Sequence, residues 1–476
     1  MPLNSQTELA GARVVVMGLG RFGGGVGVTR FLLQQGADVL VTDLEPAERL
    51  QNSLAQLADL PVEYRLGEHN VSDFTTADLI VVNPAVKPHD NRFLRAAEAA
   101  DIPLTSEIRL LISRLPSRLR TIGVTGSAGK STSVAMIGHA MERLGQRVFV
   151  GGNIGGSLLS HLDQIGNNDW VVLELSSFML KGTQQDQWSP HVALVTNFAP
   201  NHLDWHGDLE DYRSAKQAML DFQQPDVDYT IFGPDISDQF TPRGKVITRE
   251  WSDPDIASQL SLLVPGRHNR MNAMLAADAV SIATGCDWHA AAGALDDFAG
   301  LPHRLQLVAE RREVQYFNDS KSTTPDAALL AIEAFPRARV HAILGGYDKG
   351  SDLAELAKRA ADHCRAVYTV GATGETIAQL IEQHQQQQAE QFGTLDRGLA
   401  CGGAVGWDSA GAELIRCETL DNAVKQSATR VREGDVVLLS PGCASWDQYE
   451  NFEQRGNAFV AAVLNYTGEG AAPPKV

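Results

Sequence analysis

Residues 120–132 read R-T-I-G-V-T-G-S-A-G-K-S-T. The β-branched run from Arg120 to Thr125 predicts a strand, and the stretch from Ser131 to Leu144, stopped by Gly145, predicts a helix. A further strand, Gln146 to Val150, follows at once. Between strand and helix lie Gly126, Ser127, Gly129, Lys130, Ser131 and Thr132. Free backbone N–H groups, the positive end of a helix and a lysine ammonium converge there, which suits a nucleotide phosphate. The spacing is a shortened T-G-x-x-G-K-S, because Val124 stands where the longer pattern has glycine. The plainer alternative is a glycine-rich turn with a chance lysine. Apolar runs at Trp170–Glu174 and Val192–Asn197 extend the same sheet. Continuous apolar strands separated by helices indicate a parallel sheet buried on both faces.

Similar patterns flank this centre. Upstream, Arg13 to Gly18 predicts a strand, Thr29 to Gln35 a helix, and Ala37 to Asp43 a second strand. The G-x-G-x-x-G at Gly18, Gly20 and Gly23, with Asp43 ending the next strand, fits a diphosphate at a helix N-terminus. A nucleotide sugar, a dinucleotide as in a nicotinamide-dependent dehydrogenase, and tight packing alone all satisfy it. Asp78–Pro84 predicts a later strand, and Ile108–Arg120 a helix leading out. Downstream, strands are expected near Val314–Asn318, Arg339–Leu344, Ala366–Val370 and Asp435–Ser440. The expected architecture is α/β in three domains. These are a Rossmann-like nucleotide-binding domain (1–115), a central P-loop domain with a parallel-rich sheet (116–302) and a second Rossmann-like domain (303–476).

The 476 residues suit about three such domains. An excess of 58 acidic over 40 basic residues gives a formal charge of −18. That surplus disfavours nucleic acid and anionic membrane surfaces as partners. The five cysteines show no C-x-x-C spacing, and no window is apolar enough for a membrane span. Free thiols in a reducing cytoplasm are the expectation. The Gln-rich stretch 383–391 is expected in an exposed loop or helix end, and 468–476 as a disordered tail.

Strand ends supply the other candidates. Glu174 ends an apolar strand, and a carboxylate, a hydroxyl from Ser131 and phosphate oxygens are the donors that Mg²⁺ favours. His202 and His206 stand four apart, as zinc ligands can, but no H-E-x-x-H pattern or third ligand accompanies them. A loop histidine without a ligand role is the other reading of His202. Arg304, Asp319 and Lys321 place a guanidinium, a carboxylate and an ammonium near a domain junction, as a phosphate and ribose clamp or as a surface ion pair.

A set of motifs then falls in one order: T-G-S-x-G-K-S-T, G-G-N-I-G at 151–155, L-E-L-S-S-F at 173–178 and N-H-L-D at 201–204. Y-x-x-A-K at 212–216, G-x-H-N-x-x-N at 266–272, L-P-H-R at 301–304, N-D-S-K-x-T at 318–323 and the run from Leu439 to Gly456 complete it. In this the chain resembles the Mur ligases, most of all the member that adds D-glutamate to UDP-N-acetylmuramoyl-L-alanine. The nearest alternative is a member adding another amino acid, such as L-glutamate.

The resemblance implies ATP-dependent amide formation in peptidoglycan precursor synthesis through an acyl phosphate. Three domains are implied: one for the UDP end of the precursor, a central ATPase, and a C-terminal amino-acid domain that closes over the cleft. Carried over by position, Gly126, Ser127, Gly129, Lys130, Ser131, Thr132, Asn272, Arg304 and Asp319 contact ATP. Lys130, His202 and Lys216 are catalytic. Ser131 and Glu174 hold one Mg²⁺, and His202 with a carbamylated Lys216 a second. Gly18, Gly20, Arg21, Phe22, Asp43 and Asn153 meet the UDP precursor. Lys321, Thr323, Lys349, Ser445, Trp446 and Phe452 form the amino-acid pocket. The substrates implied are small molecules (ATP, D-glutamate and the UDP precursor), and the enzyme is expected to be a cytoplasmic monomer. Three departures stand out: the N-terminal loop carries Arg21-Phe22 and two additional residues where the family often has a Leu-Thr type turn, Leu44 and Glu45 follow Asp43 where it often has a basic residue, and Trp446 replaces a smaller aliphatic one.

Overall fold

The computed structural model describes residues 9–20, 23–87, 91–247, 260–395 and 411–467. The chain forms two compact units, one of Met1–Ser261 with Met271–Asp296, the other of Leu262–Arg270 with Asp297–Val476.

The first unit holds two sheets. Strands β1 (Arg13–Met17), β2 (Asp38–Asp43), β3 (Glu63–Leu66), β4 (Leu79–Val82) and β5 (Leu104–Thr105) pair in parallel in the order β3-β2-β1-β4-β5, the doubly wound arrangement of nucleotide-binding folds. Side chains alternate across the pleat, so Val14 and Val16 enter one core while Val15 and Met17 enter another on the opposite face. Both faces being covered explains why β1 is apolar from Val14 to Met17.

Strands β6 (Thr121–Thr125), β7 (Val148–Gly152), β8 (Trp170–Glu174), β9 (Val192–Val195), β10 (Tyr229–Phe232) and β11 (Lys245–Ile247) form the second sheet, also parallel, in the order β11-β10-β9-β6-β8-β7. One apolar cluster runs from Val14 and Val16 to Leu173 and Val195, so the two sheets share a core. A buried ion pair crosses the same junction: the Arg109 guanidinium grips Asp186 through Nε at 2.6 Å and Nη2 at 2.8 Å. The helix expected over Ile108–Arg120 runs only from Glu107 to Ile112, with a short 3₁₀ turn at Arg118–Arg120. Pro116 accounts for the break, since it lacks an N–H and pushes the residue before it out of helical geometry.

The second unit contains β12 (Gln306–Arg311), β13 (Val314–Asn318), β14 (Val340–Gly345), β15 (Ala366–Val370), β16 (Glu413–Glu418) and β17 (Val436–Leu439), ordered β12-β13-β17-β14-β15-β16. Only the β12–β13 hairpin is antiparallel. The expected strands are all present; those without a sequence signal (β3, β5, β10, β11, β12 and β16) include every sheet edge except β7. The Gln-rich stretch lies within the helix Gly374–Leu395, and 468–476 falls outside the described residues. Among the described residues no helix is long and apolar enough to cross a membrane.

Candidate active site

The turn after β6 is built on two glycines at which a side chain would be strained. Gly126 has φ 150°, and a Cβ there would stand 2.0 Å from Thr196 Oγ1; at Gly129, φ is 81° and a Cβ would stand 2.6 Å from Asn272 Oδ1. Asn197 Oδ1 accepts from the backbone N–H groups of Ser127 (3.0 Å) and Ala128 (2.8 Å), holding the turn open. Gly129 caps the helix Lys130–Arg143, which begins with Lys130, Ser131 and Thr132. The predicted loop residues and Asn272 are therefore together.

Lysine 216 comes in from the helix Leu209–Gln217, 1% exposed, and Nζ donates to Gly126 O at 2.9 Å. Lys130 Nζ donates to the same carbonyl at 2.8 Å. Burial, reinforced by the neighbouring Lys130 charge, lowers the Lys216 pKa to about 6. Its amine is thus neutral at physiological pH. Tyr212, one turn earlier, shares a 3.0 Å hydrogen bond with Ser127 Oγ. His202 is exposed, with φ 54°, and its ring lies 4.9 Å from that of Phe178. Desolvation, then the Lys130 charge, lowers its pKa, which leaves a neutral imidazole able to act as a ligand.

Glu174 ends β8 in register with Val124 on β6, beside the loop. One of its oxygens accepts from Asn153 Nδ2 at 2.9 Å. The other, Oε2, is buried without a hydrogen-bond partner. An orphaned carboxylate oxygen next to a glycine-rich loop at a helix N-terminus suits a hard cation. Among the described residues no group of three or more His, Cys, Asp or Glu could hold a metal by itself. The orphaned Glu174 oxygen fits Mg²⁺ completed by a hydroxyl and phosphate oxygens. His206 is excluded as a ligand because both ring nitrogens are engaged, at 2.9 Å from Asp211 Oδ2 and 2.9 Å from Ser177 Oγ.

A cleft of about 910 Å³ opens along the C-terminal ends of β1, β2 and β4 and reaches Asn153 and Phe178. Gly18, Gly20 and Asp43 line it as expected; Asp43 Oδ2 accepts from Gly20 N–H at 3.1 Å, so the acid shapes the loop. Arg21 and Phe22 lie outside the described residues. Leu44, 64% exposed, gives the wall an apolar patch. His69, Asn83 and Lys87 also line the cleft and carried no motif, since each is a lone polar residue beyond a strand. Asn153 both faces this cleft and bonds Glu174, so it joins the two regions.

The remaining candidates lie in the second unit. Asp319 is 5% exposed and accepts from Ser440 Oγ (2.8 Å), Leu305 N–H (3.1 Å) and Ser322 Oγ. Burial nonetheless pushes its carboxyl up to about 6. The Arg304 charge acts on it in the opposite direction. Lys321 Nζ lies 4.4 Å from the Phe452 ring centre, and Lys349 Nζ 4.9 Å from that of Trp446. Trp446 is 60% exposed and packs on Tyr347 at 5.5 Å, whereas Ser445 beside it is buried. Thr323 N–H donates to Lys321 O at 2.9 Å, keeping those two in one turn. Arg455, absent from the candidates, binds these turns together: its guanidinium donates to Ser320 Oγ and O, Cys443 O and Ala444 O. An arginine that contacts only carbonyls and hydroxyls leaves no charge pattern for sequence reasoning to find.

Known proteins resemble the chain over nearly its whole length. Residues 12–106 match the Mur ligase MurD-like N-terminal domain, 124–237 the Mur ligase middle domain and 303–443 the Mur ligase glutamate ligase domain. The chain is 35% identical to the UDP-N-acetylmuramoylalanine–D-glutamate ligase of Acidobacterium capsulatum, covering 98% of each chain. To the enzyme of that name from Koribacter versatilis it is 33% identical, over 96% of this chain and 98% of that one. Among solved structures, a UDP-N-acetylmuramate–alanine ligase from Thermotoga maritima aligns with a TM-score of 0.57 at 20% identity, covering 96% of this chain and all of that one. A MurF ligase from the same organism, solved with ADP, aligns at 0.53 and 16% identity over 98% of both chains. These two share the fold.

Proposed function

The chain belongs to the Mur ligase family, and from that premise we propose that it joins D-glutamate to UDP-N-acetylmuramoyl-L-alanine in peptidoglycan precursor synthesis. It is an ATP-dependent, ADP-forming ligase. The cleft of the first unit takes the UDP end, with Gly18, Gly20 and Asp43 around the nucleotide and Asn153 toward the muramoyl end. Lys130, Ser131, Thr132 and the backbone of Gly126–Gly129 take the ATP phosphates, with Asn272, Arg304 and Asp319 as further nucleotide contacts. Lys321, Thr323, Lys349, Ser445, Trp446 and Phe452 receive the amino acid.

The chemistry follows from charge. A substrate carboxylate attacking the γ-phosphate meets a polyanion, and the Lys130 ammonium offsets that repulsion as charge moves to the leaving oxygen. The amine of D-glutamate then displaces phosphate from the acyl phosphate. Ser131 and Glu174 would hold one Mg²⁺, and His202 with Lys216 a second, supplying further neutralisation of phosphate charge when bound. Lys216 serves this only as a carbamate, since an ammonium repels a cation; a buried neutral amine is the form that captures CO₂. The single observation that carries the reading is Glu174, with one oxygen held by cleft-lining Asn153 and the other buried and unpartnered beside the phosphate loop. We place the enzyme in the cytoplasm as a monomer.

Purified protein with ATP, Mg²⁺ and UDP-N-acetylmuramoyl-L-alanine should release ADP when D-glutamate is added. Release with L-glutamate instead would overturn the amino-acid assignment, and no release with either would overturn the ligase reading.

A further inference from the structure

The residue that the metal argument sets aside, His206, has a place of its own. It is 7% exposed and sits between two segments far apart in sequence. Its Nδ1 meets Asp211 Oδ2 and its Nε2 meets Ser177 Oγ, each at 2.9 Å. Asp211 takes two further bonds of 2.7 Å from Lys181 Nζ. A neutral imidazole completes this chain in one way: Nδ1–H donates to the carboxylate and Nε2 accepts the serine hydroxyl proton. The order serine, histidine, aspartate is that of a hydrolase triad. Ser177, however, is 2% exposed, so no acyl group can reach its oxygen. The chain is a strut.

What it braces is functional on both sides. Ser177 opens the helix Ser177–Thr183, three residues after Glu174, and its neighbours Ser176, Phe178 and Met179 line the cleft. The Phe178 ring stacks on the imidazole, with centroids 5.6 Å apart and planes 9° from parallel. Asp211 belongs to the helix Leu209–Gln217, whose Tyr212 and Lys216 bond Ser127 and Gly126 of the phosphate loop. We propose that His206 is a positioning residue that couples the precursor-binding cleft to the phosphate loop, so that occupation of one steadies the other. The proposal rests on the reading of the cleft as the site of the UDP precursor.

The test is calorimetric titration of the full chain with UDP-N-acetylmuramoyl-L-alanine, with and without a non-hydrolysable ATP analogue and Mg²⁺. Wild type is compared with Ser177→Ala, His206→Asn and the double variant, and melting temperature is recorded for each. The analogue should tighten precursor binding about fivefold or more in wild type and less than about twofold in either variant, in keeping with usual coupling between sites. His206→Asn keeps a donor for Asp211 but cannot reach Ser177, so adding Ser177→Ala to it should cost nothing further. Equal coupling in wild type and variants, no coupling in wild type, or additive losses would each overturn the strut. Should His206→Asn fail to fold, the conservative Ser177→Ala decides alone. Wild type that does not bind the precursor at all would refute the reading of the cleft itself.

Discussion

Replacing Lys216 by methionine should separate stability from activity, because the structure holds a lysine where an ammonium is costly. With its pKa lowered to about 6, the side chain is roughly 95% neutral at pH 7.4, against about 0.1% for an ordinary lysine. The unfolded chain binds this proton at pH 7.4 and the folded one does not, so burial costs about 4 kcal/mol at that pH by linkage. The sign follows from the proton count. Between pH 6 and 10 the unfolded state holds the extra proton, hence the stability of wild type rises with pH in this window. Methionine fills a similar volume without an amine to desolvate, and Gly126 O keeps its bond from Lys130. In CO₂-depleted buffer at pH 7.4, Lys216→Met should therefore melt several degrees higher than wild type. The difference should shrink toward pH 10, and turnover should be lost. In Lys216→Ala, acetate should restore part of the turnover by standing in for the carbamate. A variant that melts lower at pH 7.4, a difference that does not change with pH, or undiminished turnover would refute the reasoning.

Glu174→Gln removes charge from a buried oxygen without a partner, so it should cost at least about a hundredfold in kcat while the melting temperature holds or rises. Turnover against Mg²⁺ concentration and a thermal melt check both. Asp319, pushed up to about 6, has a folded pKa above its unfolded one; its stabilising contribution is complete below pH 4 and lost as pH rises through 6. Chemical denaturation from pH 4 to 8 should show that slope in wild type and lose it in Asp319→Asn. Trp446→Leu removes an exposed cation–π contact to Lys349 and should raise KM for the amino acid roughly two- to fivefold while leaving that for ATP unchanged. Initial-rate kinetics with each substrate varied in turn would decide it.

The site was legible where chemistry is tied to local sequence. The phosphate loop announced itself because a strand, two glycines and a lysine must be contiguous to wrap phosphate. Glu174 was visible because an acid at the end of an apolar strand has no packing reason to be there. Edge strands such as β3, β11 and β16 were silent, since one free edge removes the need for a continuous apolar run. Lone contributors such as His69 and Arg455 gave no signal either, because their partners are hydroxyls, backbone carbonyls or rings brought in by the fold.

By itself, then, the sequence determined the alternation of buried strands and helices, the phosphate loop and the set of groups that could meet ATP. Periodicity and contiguous motifs are properties of the chain alone. Tertiary structure decided which of those groups share a site. It left His206 with both nitrogens occupied, seated Glu174 against Asn153, and drove Lys216 into a dry pocket beside another lysine. Desolvation and hydrogen-bond satisfaction depend on every segment packed around an atom, so they come into being only when distant parts of the chain meet.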